Sequence, residues 1–144
     1  MTSKISNASD AITSLKAGAP LCADKAIFEI IDNGDWFYQD GKLPLKFSKL
    51  FASILNKIDD EYFLITPVEK LKVDVANQAL IIVDYDADEQ GGFELLSSID
   101  TRHSISSLEA FIVSDDNITL TVERGVIARL NRACFYRFIN EFIA

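Results

Sequence analysis

Tyr62-Phe-Leu-Ile-Thr-Pro-Val-Glu-Lys-Leu-Lys-Val-Asp-Val75 decides how this chain is read, because two strand-like segments meet there at one tightly specified corner. Tyr62 to Ile65 is a short apolar and aromatic run of the kind that forms a buried strand. Leu71, Val73 and Val75 alternate with Lys70, Lys72 and Asp74, the pattern of a strand with one wet face. Between them, Thr66-Pro67-Val68-Glu69 has capping-box spacing: the Thr66 hydroxyl can accept from the third backbone N–H on, and the Glu69 carboxylate can reach back. Pro67 falls where a first helical residue needs no N–H. The spacing predicts a single helical turn, with Thr66, Pro67 and Glu69 as a structural corner.

Upstream, Ala26 to Ile31 and Trp36-Phe37-Tyr38 flank Asn33-Gly34, a hairpin signal in which both turn residues take positive φ. After Pro44, the residues Phe47, Leu50, Phe51, Ile54, Leu55 and Ile58 form one apolar stripe at helical spacing, which predicts a helix ended by Asp59-Asp60. Residues 1–20 are weakly patterned, with one or two helical turns expected from Asp10 to Lys16.

Downstream, Ala79 to Tyr85 is apolar on both faces, as a central strand would be. Phe93 to Ser98 reads as a strand, Ile99 to Ser107 as an irregular loop and Glu109 to Val113 as a short strand. Ile118, Leu120 and Val122 alternate with polar residues, and Val126, Ala128 and Leu130 resume the alternation after Gly125. Asn131 is placed to cap a last helix with the stripe Phe135, Phe138, Ile139, Phe142 and Ile143.

Hairpin followed by amphipathic helix thus occurs at Ala26 to Ile58 and again at Ile118 to Ala144, a candidate structural repeat. The fold class expected is α+β, with a mostly antiparallel sheet and two hairpin-plus-helix units. Three segments are expected: residues 1–21, weakly ordered; 22–78, a hairpin-helix-strand unit; and 79–144, a strand-rich unit ending in a helix, the last two sharing one compact fold.

A length of 144 residues, 49% of them apolar, suits a domain of this size. A formal net charge of −8 argues against binding nucleic acid or an anionic membrane. No apolar run is long enough to span a bilayer and no secretory signal is visible behind Lys4, so a cytoplasmic protein is expected. Cys22 and Cys134 lack scaffold or metal spacing and read as inert thiols.

Four stretches then come in order: Asn-Gly-Asp-Trp-Phe-Tyr (33–38), Leu-Phe-Ala-Ser-Ile-Leu (50–55), Tyr-Phe-Leu-Ile-Thr-Pro-Val-Glu-Lys (62–70) and Val-Glu-Arg-Gly-Val-Ile-Ala-Arg-Leu-Asn-Arg (122–132). Together they resemble the bacterial domain-of-unknown-function family DUF1285, from about Cys22 to the C-terminus. The Thr-Pro-Val-Glu-Lys element and the Arg-x-x-Arg close are the specific parts. The family often carries an arginine between the hairpin and the first helix; here Gly41-Lys-Leu-Pro-Leu-Lys46 has none. The resemblance implies a small two-part α+β protein with repeated motifs and a role in signal transduction. It implies no reaction.

Candidate sites follow from residue type and spacing. Asp84, Asp86 and Asp88 have the odd-position acids of a calcium loop, but Glu89 replaces the required glycine and Leu95 the bidentate Glu, so a solvated acidic loop is expected and no metal. His103, the only histidine, has an acid and hydroxyls beside it in Asp100-Thr-Arg-His-Ser104 but no strained glycine elbow, and reads as a loop histidine. No glycine pattern for a nucleotide cofactor occurs. Trp36, Phe37 and Tyr38 read as hairpin packing.

Among Arg124, Arg129, Arg132 and Arg137, the expected place of Arg132 in a first helical turn opposes the helix dipole and calls for a partner. Two outcomes are open: an internal ion pair with Glu69 or Glu123, which is favoured, or an anion site formed by Arg129 and Arg132. The function expected is a non-enzymatic regulatory, signalling or interaction domain with a protein partner. Second comes a binding domain for an anionic metabolite, and more remotely a hydrolase using His103.

Overall fold

Alternation of apolar and polar residues, punctuated by tight turns, builds most of this chain into strands. The computed structural model describes residues 27–39 and 41–143. The helical turns expected from Asp10 to Lys16, the 1–21 segment and Cys22 lie outside them. One sheet holds β1 (Phe28–Ile30), β2 (Trp36–Tyr38), β3 (Gly41–Lys42), β4 (Leu55–Ile58), β5 (Glu61–Ile65) and β6 (Lys70–Val75), in the order β3-β2-β1-β6-β5-β4. The second holds β7 (Leu80–Ala87), β8 (Phe93–Ser97), β9 (Arg102–Ile105), β10 (Ile112–Val113), β11 (Ile118–Thr121) and β12 (Ile127–Leu130), in the order β10-β11-β12-β7-β8-β9. Two α-helices complete the described chain: α1 (Leu45–Ala52) and α2 (Arg132–Phe138), the latter running on into a π-helical turn at Ile139–Ile143.

The two sheets are wired identically. In each, three consecutive strands form one meander, the next three form another, and the first and sixth strands lie side by side at the centre. Those central pairs, β1 with β6 and β7 with β12, are parallel, and every other neighbour pair is antiparallel. The α+β class is therefore right, but both sheets are mixed. Both expected hairpin-plus-helix units form, β1–β2 with α1 and β11–β12 with α2, but they are not the repeat. It is the whole six-strand sheet, and the two helices are not equivalent within it. α1 joins the two meanders of the first sheet, where the second sheet has only a 3-10 turn at Leu108–Ala110. α2 follows the last strand and has no counterpart among the described residues.

Three local expectations are corrected. The apolar stripe after Pro44 stops being helical at Ala52, and Leu55–Ile58 is the strand β4. β-branched Ile54 and Ile58 favour extended backbone, and Asp59 and Asp60 both have positive φ, 50° and 69°. They form the two-residue hairpin loop between Ile58 and Glu61, rather than a helix end. At Asn33-Gly34 only Gly34 has positive φ, because Ile31 N–H bonds to Asp35 O around a three-residue loop. The Thr66 corner is a hairpin turn without a helical turn. Thr66 Oγ1 accepts from Glu69 N–H at 3.0 Å, as capping spacing required, but the Thr66 N–H goes to the Glu69 backbone carbonyl at 2.9 Å.

One buried apolar cluster includes residues of both sheets, among them Phe28, Trp36 and Phe51 on one side and Ile82, Tyr85 and Phe138 on the other. Each such side chain contributes roughly 1.5–3 kcal/mol on burial. The cluster holds together the seam along which the chemically richest groups lie. Among the described residues, no helix is long and apolar enough to cross a membrane.

Candidate functional site

One helix end, the start of one strand and one turn converge on a cavity of about 220 Å3 lined by Lys49, Ala52, Ser53, Thr101, Arg102, His103, Glu123 and Arg124. α1 brings Lys49 from the first sheet. The second sheet supplies the start of β9 and the turn at Glu123–Gly125. His103 is not in a loop, as Ile99 to Ser107 had been read, but on β9, where it is 6% exposed. Successive side chains on a strand face opposite ways, so Thr101 and His103 share one side and Arg102 takes the other.

Both imidazole nitrogens are engaged. Nδ1 lies 2.8 Å from Glu123 Oε2, and Nε2 lies 2.8 Å from Thr101 Oγ1. Thr101 Oγ1 also lies 2.6 Å from Ser97 Oγ, which accepts the Thr101 N–H at 3.1 Å. With a neutral imidazole, the donors and acceptors take one direction along the chain. A carboxylate only accepts, so Nδ1 of a neutral His103 donates to Glu123 and Nε2 is left as the acceptor. Thr101 then donates to Nε2 and receives the Ser97 hydroxyl. The result is a directed series Ser97, Thr101, His103, Glu123, with Glu123 44% exposed at its outer end.

Arg124 crosses the seam from the other side of the cavity. Its Nε donates to Leu55 O at 2.8 Å and its Nη2 to Ala52 O at 2.9 Å, closing the end of α1 with a cation. Two of the five guanidinium N–H groups are so used, leaving three. Arg124 itself has φ 58°, and Gly125 follows at φ 76°, where a Cβ would lie 3.2 Å from Lys57 O. A glycine is required by both counts. Lys49 Nζ pairs with Asp100 Oδ2 at 3.2 Å, bridging α1 to the β8–β9 turn.

The other arginines are dispersed. Arg129 Nη2 donates to the backbone carbonyl of Asp32 at 2.9 Å, while Arg132 lies 5.8 Å from the Tyr136 ring centroid. Asn131 caps α2 as expected, its Oδ1 accepting from Cys134 N–H at 2.8 Å. No ion pair joins Arg129 or Arg132 to a carboxylate among the described residues, and Glu123 is taken by His103. Arg137 does find carboxylates, Asp84 at 3.0 Å and Glu141 at 3.4 Å, and it lies 4.1 Å from the Tyr85 ring centroid. The Tyr85 hydroxyl donates to Glu141 at 2.6 Å. Burial first and Glu141 second make that hydroxyl harder to ionise, and the same bond holds Glu141 below the usual carboxylate range. Asp84 and Asp86 lie on β7 rather than in a loop. Among the described residues, no group of three or more metal-ligating side chains is close enough to hold an ion.

Two larger cavities are chemically poorer. One of about 470 Å3 is lined by Lys57, Asp60, Glu61 and Lys72, but these pair as Lys57–Asp60 and Lys72–Glu61. One of about 390 Å3 lies beside Trp36, whose buried indole Nε1–H has no hydrogen-bond partner among the described residues, and carries the Asp35–Lys42 pair. Sequence reading missed Lys49, and it offered Glu123 as a partner for Arg132 rather than for His103. A strand assignment at His103 would have flagged Thr101 two residues earlier on the same face, but nothing local points to Glu123, twenty residues on.

Residues 17–78 match the family model described as Domain of unknown function (DUF1285), N-terminal domain. The chain is similar to the crystal structure of a DUF1285 family protein from Shewanella baltica OS155, at 47% identity over 81% of this chain and 93% of that one, with a TM-score of 0.75. It shares a fold with a DUF1285 family protein from Silicibacter pomeroyi DSS-3, at 24% identity over 81% of this chain and 69% of that one, with a TM-score of 0.68. No curated protein matches it.

Proposed function

Since the chain belongs to the DUF1285 family, whose description assigns no activity, we propose from its own geometry that it is a regulatory domain binding a small anionic metabolite at the seam cavity. The observation that carries this reading is Arg124. Its guanidinium is pinned by two backbone carbonyls at a cavity that Lys49 and His103 also line, with three N–H groups left over. Guanidinium forks match carboxylate and phosphate oxygens, and a pinned one loses little freedom on binding. The net charge of −8 does not oppose this, because charges beyond about 8 Å are screened at physiological salt and the cations nearest the anion decide. An anion there touches groups from both sheets, so its binding energy reports on their relative order.

Thermal melts in phosphate, sulfate, citrate and chloride at matched ionic strength test the reading. The multivalent anions should raise the midpoint, since ligand at a hundred times its Kd adds about 2.7 kcal/mol of stability. Lys49→Gln should diminish that rise. Arg129 and Arg132 are the competing location: a rise insensitive to Lys49→Gln, and lost when both those arginines become Gln, places the anion there.

A protein partner is favoured by a separate observation. β10 is an edge strand whose Ile112 and Val113 are 63% and 43% exposed, an apolar strand edge open to pairing. Ile112→Lys would abolish capture of such a partner and leave the anion response unchanged.

A further inference from the structure

The hydrogen-bond series at the cavity is more ordered than a structural histidine needs. A buried imidazole is satisfied by one donor and one acceptor of any kind. Here the acceptor nitrogen meets a hydroxyl at 2.8 Å and the donor nitrogen meets a carboxylate at 2.8 Å, and the hydroxyl-bearing residue lines a cavity. These are the relations that define an activated nucleophile: hydroxyl to base within about 2.6–3.2 Å, and the base fixed in one tautomer by a third group.

We propose that Thr101 is the nucleophile of an acyl-transfer centre, with His103 as general base and Glu123 as the group that orients it, acting on small carboxylic esters that carry an anionic group. The proposal rests on the reading of this cavity as the ligand site. Thr101 Oγ1 forms a bond to the ester carbonyl carbon while its proton passes to His103 Nε2. Nδ1 stays hydrogen-bonded to Glu123, which stabilises the imidazolium. The tetrahedral intermediate collapses, the carbon–oxygen bond to the alcohol breaks, and the alcohol takes the proton from Nε2. Water then attacks the Thr101 ester, giving a proton to Nε2, and the carboxylic acid leaves as Thr101 recovers that proton. No oxidant, reductant or second substrate beyond water is consumed.

Two neighbours suit that chemistry. The Ser97 hydroxyl, 2.6 Å from Oγ1, can keep a donor on the oxygen when its own proton is on His103. Arg124 and Lys49 line the same cavity as Thr101, and cations near a developing oxyanion lower the barrier. The same two cations favour an ester whose acyl or alcohol part is itself anionic.

The test uses the wild-type protein with 4-nitrophenyl acetate and its anionic relative 4-nitrophenyl hemisuccinate. Nitrophenol release is followed together with intact mass and peptide mapping of the acyl adduct. Expected are a burst of nitrophenol, an acyl group on Thr101, faster reaction with the hemisuccinate, and a fall of ~100-fold or more in Thr101→Val and His103→Gln. Thr101→Val is close in volume, and near-UV circular dichroism checks its fold. An adduct on a lysine, or release equal in wild type and Thr101→Val, overturns the proposal. The anion melts separate the two readings: a phosphate-dependent rise without acylation removes the catalytic proposal and keeps the binding site, while acylation without that rise does the reverse.

Discussion

Arg124 Nη2 donates to the carbonyl oxygen of Ala52 at 2.9 Å, so a cation from the turn after β11 closes the end of the helix that joins the two meanders of the other sheet. The bond is made from a residue held at φ 58°, a region costly for any side chain but glycine. The two effects predict an order. Arg124→Ala loses the charge-assisted bonds and keeps the strain, and should destabilise by about 1.5–3 kcal/mol in urea titrations. Arg124→Gly relieves the strain and should cost roughly 1 kcal/mol less than the alanine variant. Equal losses would show that the positive φ carries no strain.

At the corner between β5 and β6, Thr66→Ala should cost ~0.5–2 kcal/mol, because it removes the acceptor for the Glu69 N–H. Glu69→Gln should leave the corner intact, since the Thr66 N–H bonds to the Glu69 backbone and not to its carboxylate. Comparing the two thermal midpoints checks both statements.

The Tyr85–Glu141 pair makes stability depend on pH at both ends. Tyr85 is harder to ionise in the fold than at its ordinary value of 10.0, so its contribution is complete below that pH and is lost as pH rises through the alkaline range. Glu141 is held below its ordinary 4.5, chiefly by the Tyr85 hydroxyl, so its contribution is present above that pH and is lost as pH falls. Tyr85→Phe should flatten both limbs of a stability-versus-pH curve. Tyr62 is also harder to ionise, through burial, and will retain part of the alkaline limb.

Cys134 is buried, and burial raises its thiol above the ordinary range, so it should resist alkylation in the folded protein. In a Cys22→Ser background, iodoacetamide should label only after denaturant is added. Labelling at the rate of a free thiol under native conditions would contradict the packing of α2.

Strand alternation made β6, β11 and β12 legible, because each has one wet and one dry face that the sequence must display, and β5 was legible as a short apolar and aromatic run. β4 was hidden because Leu55 and Ile58 fit helical spacing as well as strand burial, and Asp59-Asp60 is a less familiar hairpin loop than Asp-Gly. The parallel centre of each sheet could not be read, since pairing β1 with β6 joins residues more than forty positions apart. The same limit concealed the site. Lys49 joins the cavity only through the apposition of the two sheets, and Glu123 reaches His103 from a turn of the same sheet twenty residues on. Arg129 and Arg132 looked paired by spacing, yet one turns to the Asp32 backbone and the other to Tyr136.

The central claim is that an anion binds at the seam, and the single histidine of the chain offers the most direct measurement. Imidazole resonances in a nuclear magnetic resonance titration with phosphate report on His103 without ambiguity. Saturable shifts at His103, joined by the amides of Lys49, Thr101 and Arg124, are the predicted result. Resonances at His103 that stay still while those of Arg129 and Arg132 move to saturation would contradict it.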